Sequence, residues 1–308
     1  MLPYLARRAL QMVVAFFGTT FLVYALMFRI AGDPLQALAG ERPISPSQRA
    51  QLTAQYHLDE PFLVQYGYYM GGLLTGDLGR TLAGRPISEV LAEAWPRTIQ
   101  LGLLALAFVV LLGVAGGVVA GLWRGGVFDH FTLALTLVVI GIPVFVLGTV
   151  LQTVFAVQLG WFRPSFAPEL GLATYILPAI VLASLSLATA LRLTRTAVAE
   201  NLRADYVRTA RAKGLTSRRV VGVHVLRNSL IPVVTFIGVE LGNLMSGAIV
   251  TEGIFNIPGV GGRLFQGIRL EDGPLVVTIV SVLVLIYLLS NLLVDLLYAV
   301  LDPRIRHE

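Results

Sequence analysis

Apolar residues gather into six runs, at about 9 to 30, 98 to 123, 131 to 157, 172 to 194, 229 to 251 and 274 to 301, separated by stretches carrying arginine, acid, glycine and proline. At a rise of about 1.5 Å per residue, twenty such residues in a helix cross roughly 30 Å of hydrocarbon. The pattern therefore predicts an all-α integral membrane protein with six transmembrane helices, a single membrane domain over residues 1–308, and both termini on one side. Arg7 and Arg8 precede the first run as they would in a secretory signal. That run is too long for a signal core and no small-residue cleavage site follows, so it is expected to stay as an anchor.

Residues 31 to 97 form the longest stretch between runs. Gly76, Gly79, Gly84, Pro86 and Pro96 predict turns there, and Tyr56, Phe62, Tyr66, Tyr68 and Tyr69 offer too much apolar surface for a disordered segment. A folded, hairpin-like insertion with short helices is expected. Within the runs, Gly113, Gly117 and Gly121 recur every four residues and leave one helix face without side chains, which predicts close approach of a second helix. Pro143 and Pro178 fall inside the third and fourth runs, where a missing amide hydrogen is expected to kink each helix.

Composition agrees with a bilayer protein: of 308 residues, 56% are hydrophobic and 13% charged. The net charge of +5, taken alone, would suit a nucleic-acid partner. The basic residues, however, sit at the ends of apolar runs, where they orient a membrane chain, and no nucleic-acid partner is expected. Fourteen of the 23 fall on one side, nine of them between Arg192 and Arg227. The positive-inside rule places that side, with both termini and the stretch 195–228, in the cytoplasm, and residues 31–97 outside.

Chemistry within the runs is sparse. The chain has no cysteine, and His57, His130, His224 and His307 are scattered without the spacing of a metal site or a catalytic triad, so neither a metal nor a catalytic residue is expected. Glu240 with Asn243, and Asp295 with Asn291, lie within runs, where a charge costs about 2.5 to 3.5 kcal/mol and must face protein or water. Glu240, near mid-run, is the candidate for lining a translocation pathway. Asp295 is assigned to structure. An ion-coupled secondary transporter with Glu240 as proton site would need internal inverted repeats, which the chain lacks.

The stretch 195–228 reads as two short helices. An apolar stripe of Val198, Leu202, Val207 and Ala210 runs to a stop at Gly214, and Thr216 or Ser217 can cap a second helix carrying Val220, Val221, Val225 and Leu226. The sequence Asp205-Tyr-Val-Arg-Thr-Ala-Arg-Ala-Lys-Gly-Leu215, continued by Val225-Leu-Arg-Asn-Ser-Leu-Ile-Pro232, resembles the cytoplasmic coupling loop of dipeptide, oligopeptide and nickel permeases of the ATP-binding-cassette importers. Tyr4 to Arg8, the segment Glu252-Gly-Ile-Phe-Asn-Ile-Pro-Gly-Val-Gly261, and Asp295-Leu-Leu-Tyr298 with Leu301-Asp-Pro-Arg304 extend the resemblance over nearly the whole chain. Aligned on Gly214, the first three positions of the importer motif fall on Arg208, Thr209 and Ala210, so its glutamate is absent. His224-Val-Leu-Arg227 stands where other importers have Ile-x-Leu-Pro.

The resemblance implies a type I importer permease fold in the cytoplasmic membrane and a role in moving dipeptides or oligopeptides, with nickel, haem or glutathione as alternative cargo. It implies that Arg208, Thr209, Ala210, Lys213, Gly214, Leu215, Val220, Val221 and His224 couple the chain to an ATPase, and that Asp295, Asp302, Pro303 and Arg304 form a terminal structural motif. Lys213 is the single lysine and no glycine-rich phosphate loop precedes it, so no Walker A sequence exists. This chain is thus expected to hold no cofactor and not to be an enzyme: one or two partner ATPase subunits bind ATP and magnesium. The long first loop resembles that of permeases that pair with a second, nonidentical permease. A heterodimer, an extracytoplasmic substrate-binding protein and membrane lipid complete the implied partners.

Overall fold

A computed structural model describes residues 2–30 and 45–301 of the chain. Among them all regular structure is helical, relieved by one isolated bridge between Arg80 and Pro86. The elements are α1 (Leu2–Ala25, prolonged by a wide turn Leu26–Ile30), α2 (Pro46–Gln55), α3 (Phe62–Thr75) and α4 (Ile87–Phe108, continued through Val109–Val114). Next come α5 (Ala115–Leu122), α6 (Val127–Gly141), α7 (Val144–Leu151, prolonged by Gln152–Gln158) and α8 (Ile176–Asn201, preceded by the tight turns Pro168–Tyr175). After α9 (Asp205–Ala212), the chain is helical again from Ser217, through Val220–Val225, into α10 (Leu226–Phe255). Finally come α11 (Val260–Arg269) and α12 (Gly273–Leu301).

Among the described residues, five segments are long and apolar enough to cross a membrane: Arg7–Arg29, Ile87–Leu122, Pro168–Asn201, Ser217–Met245 and Gly273–Leu292. A sixth crossing exists if α6 and α7, bent by 109° at Ile142 and Pro143, together make one broken span. The helices overrun the apolar runs, since α4 begins at Ile87 and the helix through the fifth run at Ser217. Hydropathy marks the part of a helix that suits lipid, whereas backbone hydrogen bonding continues into water. Pro143 breaks its span as expected. Pro178 does not kink α8, because it stands in the first turn, where the ring meets no preceding carbonyl it must displace.

The chain forms two compact units. One contains the residues up to Arg97 together with those from Pro258 onward. In it, α1 packs on α12, and the insertion folds onto α1 through aromatic rings. Tyr24 stacks on Phe28 with ring centroids 4.5 Å apart and touches Phe62, Tyr66 and Tyr69. The Tyr69 hydroxyl donates to Ser281 Oγ at 2.7 Å. The expected folded insertion with short helices is present in residues 45 to 86, whereas 87–97 belong to α4, where Pro96 stands inside the helix rather than in a turn, and 31–44 lie outside the described residues. Asp272 caps α12 by accepting from the Leu275 amide at 3.1 Å, and its second oxygen accepts from the Leu82 amide at 3.1 Å. Burial pushes that carboxyl upward, against the pull of these two amides.

The second unit, Thr98–Ile257, is built around α8, which packs against α5, α6, α7 and α10. Small residues let α8 serve so many neighbours: Ala179, Ala183, Ala190 and Ala197 are all buried. The glycine strip meets this helix as predicted. A Cβ on Gly113 would stand 3.1 Å from Ala190 Cβ, and one on Gly121 would stand 2.8 Å from Val198 Cβ.

Candidate functional site

The stretch resembling a coupling loop lies in the second unit. Helix α8 runs on to Asn201, and after a turn at Leu202–Ala204 the chain enters α9. Asp205 sits in the first turn of α9 and Arg211 in its last, each on the end that the helix dipole favours. The hydroxyl of Tyr206 donates to Asn201 Oδ1, tying α9 back to the end of α8.

Helix α9 stops in a Schellman arrangement. The Leu215 amide donates to the Ala210 carbonyl at 3.3 Å and the Gly214 amide to the Arg211 carbonyl at 2.9 Å. Gly214 has φ +79°, a left-handed conformation that a side chain would strain. Thr216 then stands at the N-cap of the next helix, its carbonyl accepting from the Val220 amide at 2.9 Å and its hydroxyl making no capping bond. The turn at Gly214 and the second helix are where the sequence puts them. The second helix does not end, however, but continues into α10.

Two faces separate on this element. Val207, Ala210, Val220 and Val225 are buried together with Val198, against Val118, Leu122, Leu202, Leu215 and Leu226. This small apolar core fixes α9 to α5, α8 and the start of α10. Arg208, Thr209, Arg211, Ala212, Lys213 and Gly214 are exposed, as are Arg218 and Arg219. Asp205 reaches only the weak, solvent-exposed pairing with Arg208 at 3.4 Å. Of the residues expected to couple, Arg208, Thr209, Lys213 and Gly214 are thus on the surface and Leu215, Val221 and His224 are half-buried. Ala210 and Val220 face inward, where they position the others. The exposed face is basic and can receive a partner bearing acid.

Glu240 lies on α10 and is buried. Ser186 Oγ on α8 donates to Glu240 Oε1, and Asn243 Nδ2 donates to Oε2 at 3.3 Å. Glu240 and Asn243 therefore form one cluster with Ser186, a partner the sequence did not suggest. Asp295 falls within α12; its side chain, and the whole of Asp302, Pro303 and Arg304, lie outside the described residues.

Sequence reasoning also missed an ion pair between a buried carboxylate and a half-buried guanidinium. Arg195 on α8 donates from Nε to Asp129 Oδ1 at 2.8 Å and from Nη2 to Oδ2 at 2.7 Å, and the Gly125 amide donates to Oδ2 at 2.8 Å. Arg195 counts as one more basic residue by composition, and Asp129 is 66 positions away, so only the fold reveals the pairing. No group of three or more metal-ligating side chains occurs among the described residues.

Residues 113–307 match the family described as binding-protein-dependent transport system inner membrane component, and residues 1–99 match the N-terminal component of the same systems. The chain is similar over 100% of both lengths to the di/tripeptide transport system permease protein DppB of Pseudomonas aeruginosa, with 39% identity over 335 residues. It is likewise 39% identical over 340 residues to the dipeptide transport system permease protein DppB of Escherichia coli K12, again covering 100% of both chains. The glutathione transport system permease protein GsiC of Escherichia coli K12 shares 35% identity over 313 residues, at the same full coverage.

Proposed function

Because this chain belongs to the family of binding-protein-dependent transport system inner membrane components, we propose that it forms half of a peptide translocation pathway and takes its driving force from an ATPase seated on the α9 turn. It is a multi-pass permease of the bacterial inner membrane and a transport subunit rather than an enzyme. Dipeptides and short oligopeptides are its cargo, a reading favoured over glutathione by the higher identity of the dipeptide permeases. A second, nonidentical permease completes the pathway as a heterodimer, a binding protein delivers the peptide, and ATP with magnesium is bound by the ATPase. The chain works as one permease domain, with both termini and α9 in the cytoplasm and residues 31–97 outside.

The observation that carries the coupling role is the exposed basic turn Arg208–Gly214 seated on its own apolar core. A docking element must keep its shape when force is applied to it, and the core under α9 supplies that. The absence of cysteine allows a direct test. In a Lys213→Cys variant, an impermeant maleimide should react only after cells are opened, and bound ATPase should protect the thiol. A cysteine in place of Glu60, which is exposed, should react in intact cells. Reaction of position 213 in intact cells would overturn the topology, and equal reaction with and without the ATPase would overturn the docking.

Glu240 contributes to the pathway in this reading, its carboxylate presented by Ser186 and Asn243. Glu240→Gln keeps the size of the side chain but removes its charge and turns one of its two accepting oxygens into a donor. The variant should reach the membrane normally while peptide uptake falls about tenfold, the scale of one charge-assisted hydrogen bond. Unchanged uptake kinetics would leave the cluster a purely structural bridge between α8 and α10.

A further inference from the structure

The α6–α8 contact is unusual in what it buries. The residues of α6 that are buried are Asp129, Thr132 and Thr136, with no large apolar side chain among them. Thr132 and Thr136 donate to carbonyls of their own helix, Asp129 and Leu133, at 3.0 and 2.9 Å. Among the described residues, Asp129 is therefore the side chain that ties α6 to α8 by a polar bond, and it does so two-pronged, at 1% exposure. With its carboxylate buried and its guanidinium half-buried, such an ion pair is a poor choice for stability alone, since well-packed apolar residues in the same place often serve as well or better. It is a good choice where two elements must keep one relative register, because the planar guanidinium accepts a carboxylate only in a narrow geometry.

The place of this pair in the chain says what register it keeps. Arg195 is one helical turn before Val198, which enters the apolar core under α9. Its carbonyl oxygen lies against the glycine strip, 2.9 Å from where a Cβ on Gly121 would stand. At the other end, Asp129 is in the first turn of α6, which leads directly to the 109° break at Ile142 and Pro143 and so to α7. The pair connects the base of the candidate coupling element to the one broken helix pair among the described residues.

We propose that Asp129 and Arg195 are positioning residues for transport, forming the joint through which displacement of the α9 element by the ATPase reaches the broken pair α6–α7. The inference rests on the coupling role proposed above. When ATPase closure moves α9, α8 moves with it through the shared apolar core. The two-pronged bond then carries α6 along, where threonine faces alone would let the helices slide. A substrate-gating movement at the break follows from rigid motion of α6 on one side of it.

The test uses the assembled transporter in proteoliposomes, with peptide uptake and ATP hydrolysis measured together. Asp129→Asn keeps the shape of the side chain and weakens the joint. It should retain its ATPase and hydrolyse ATP, while peptide moved per ATP falls about tenfold, the scale on which coupling residues act. A second variant, Asp129→Leu with Arg195→Met, replaces the pair by apolar groups without leaving a buried charge. It should assemble and show the same loss. A wild-type ratio in either assembled variant overturns the proposal, and so does failure of the double variant to assemble, which would make the pair a folding element only. Failure of the wild-type chain to hold the ATPase through α9 would instead overturn the coupling role, so the two outcomes are separable.

Discussion

Replacing Gly117 by alanine should lower the stability of the membrane domain by about 2–3 kcal/mol, although a glycine-to-alanine change within a helix ordinarily gains about 1 kcal/mol. The reason is the distance to α8. A Cβ at Gly117 would stand 2.6 Å from the Leu191 carbonyl oxygen and 2.6 Å from Thr194 Cβ. The carbonyl is backbone and cannot swing away, so the two helices must part along their whole contact, which also loosens Gly113 and Gly121. Gly116→Ala is the matched control. Its new methyl would meet the Leu191 Cδ1 methyl at 3.3 Å, the far end of a flexible side chain. It should leave thermal stability in detergent unchanged or slightly raised, whereas Gly117→Ala should melt well below wild type and accumulate poorly in membranes. Equal melting of the two variants would show that the close approach of α5 to α8 is not what holds this unit together.

Val207→Asp should release the ATPase and at the same time open the α9 element to protease. Val207 is 0% exposed, in the middle of the apolar core formed with Val198, Ala210, Val220 and Val225. An ionised carboxylate there, without a partner, costs several kcal/mol, more than one short helix gains by packing. Helix α9 should therefore detach while the spans stay inserted. Arg208, Arg211 and Lys213 then become good trypsin sites on a mobile backbone. Modification of a cysteine at 213 should also dislodge the ATPase, but it leaves the core intact and should leave the trypsin pattern as in wild type. If Val207→Asp keeps both its ATPase and its resistance to trypsin, the small core is not what presents the docking face.

These two experiments probe features of opposite legibility. The four-residue glycine repeat is visible in the sequence, and so is the turn at Gly214, because each reflects a local rule: helical periodicity in one case, tolerance of positive φ in the other. The apolar runs and the missing phosphate loop are local in the same sense. They suffice for an all-helical membrane chain and for the proposal that its energy source lies in another polypeptide. The folded state of the aromatic insertion was legible too, since five aromatic residues between positions 56 and 69 must bury against something.

Local pattern thus accounts for the six apolar runs, their approximate extents and the place where one helix can come close to another, but not for α11, whose Gly261 and Gly262 read as a turn. The tertiary structure alone decided the rest. Val207, Ala210 and Val220 carry the same apolar character whether they face an ATPase or their own core, and only packing assigns them to the core. Pro143 and Pro178 look alike in hydropathy, but the first interrupts a helix and the second stands in a first turn, where its missing amide hydrogen costs nothing. Asp129 and Arg195, and likewise Glu240 and Ser186, meet across tens of residues. Periodicity describes a residue relative to its own helix axis, whereas a bond of this kind depends on where two axes cross, a quantity set by the sum of all packing contacts and written in no single segment.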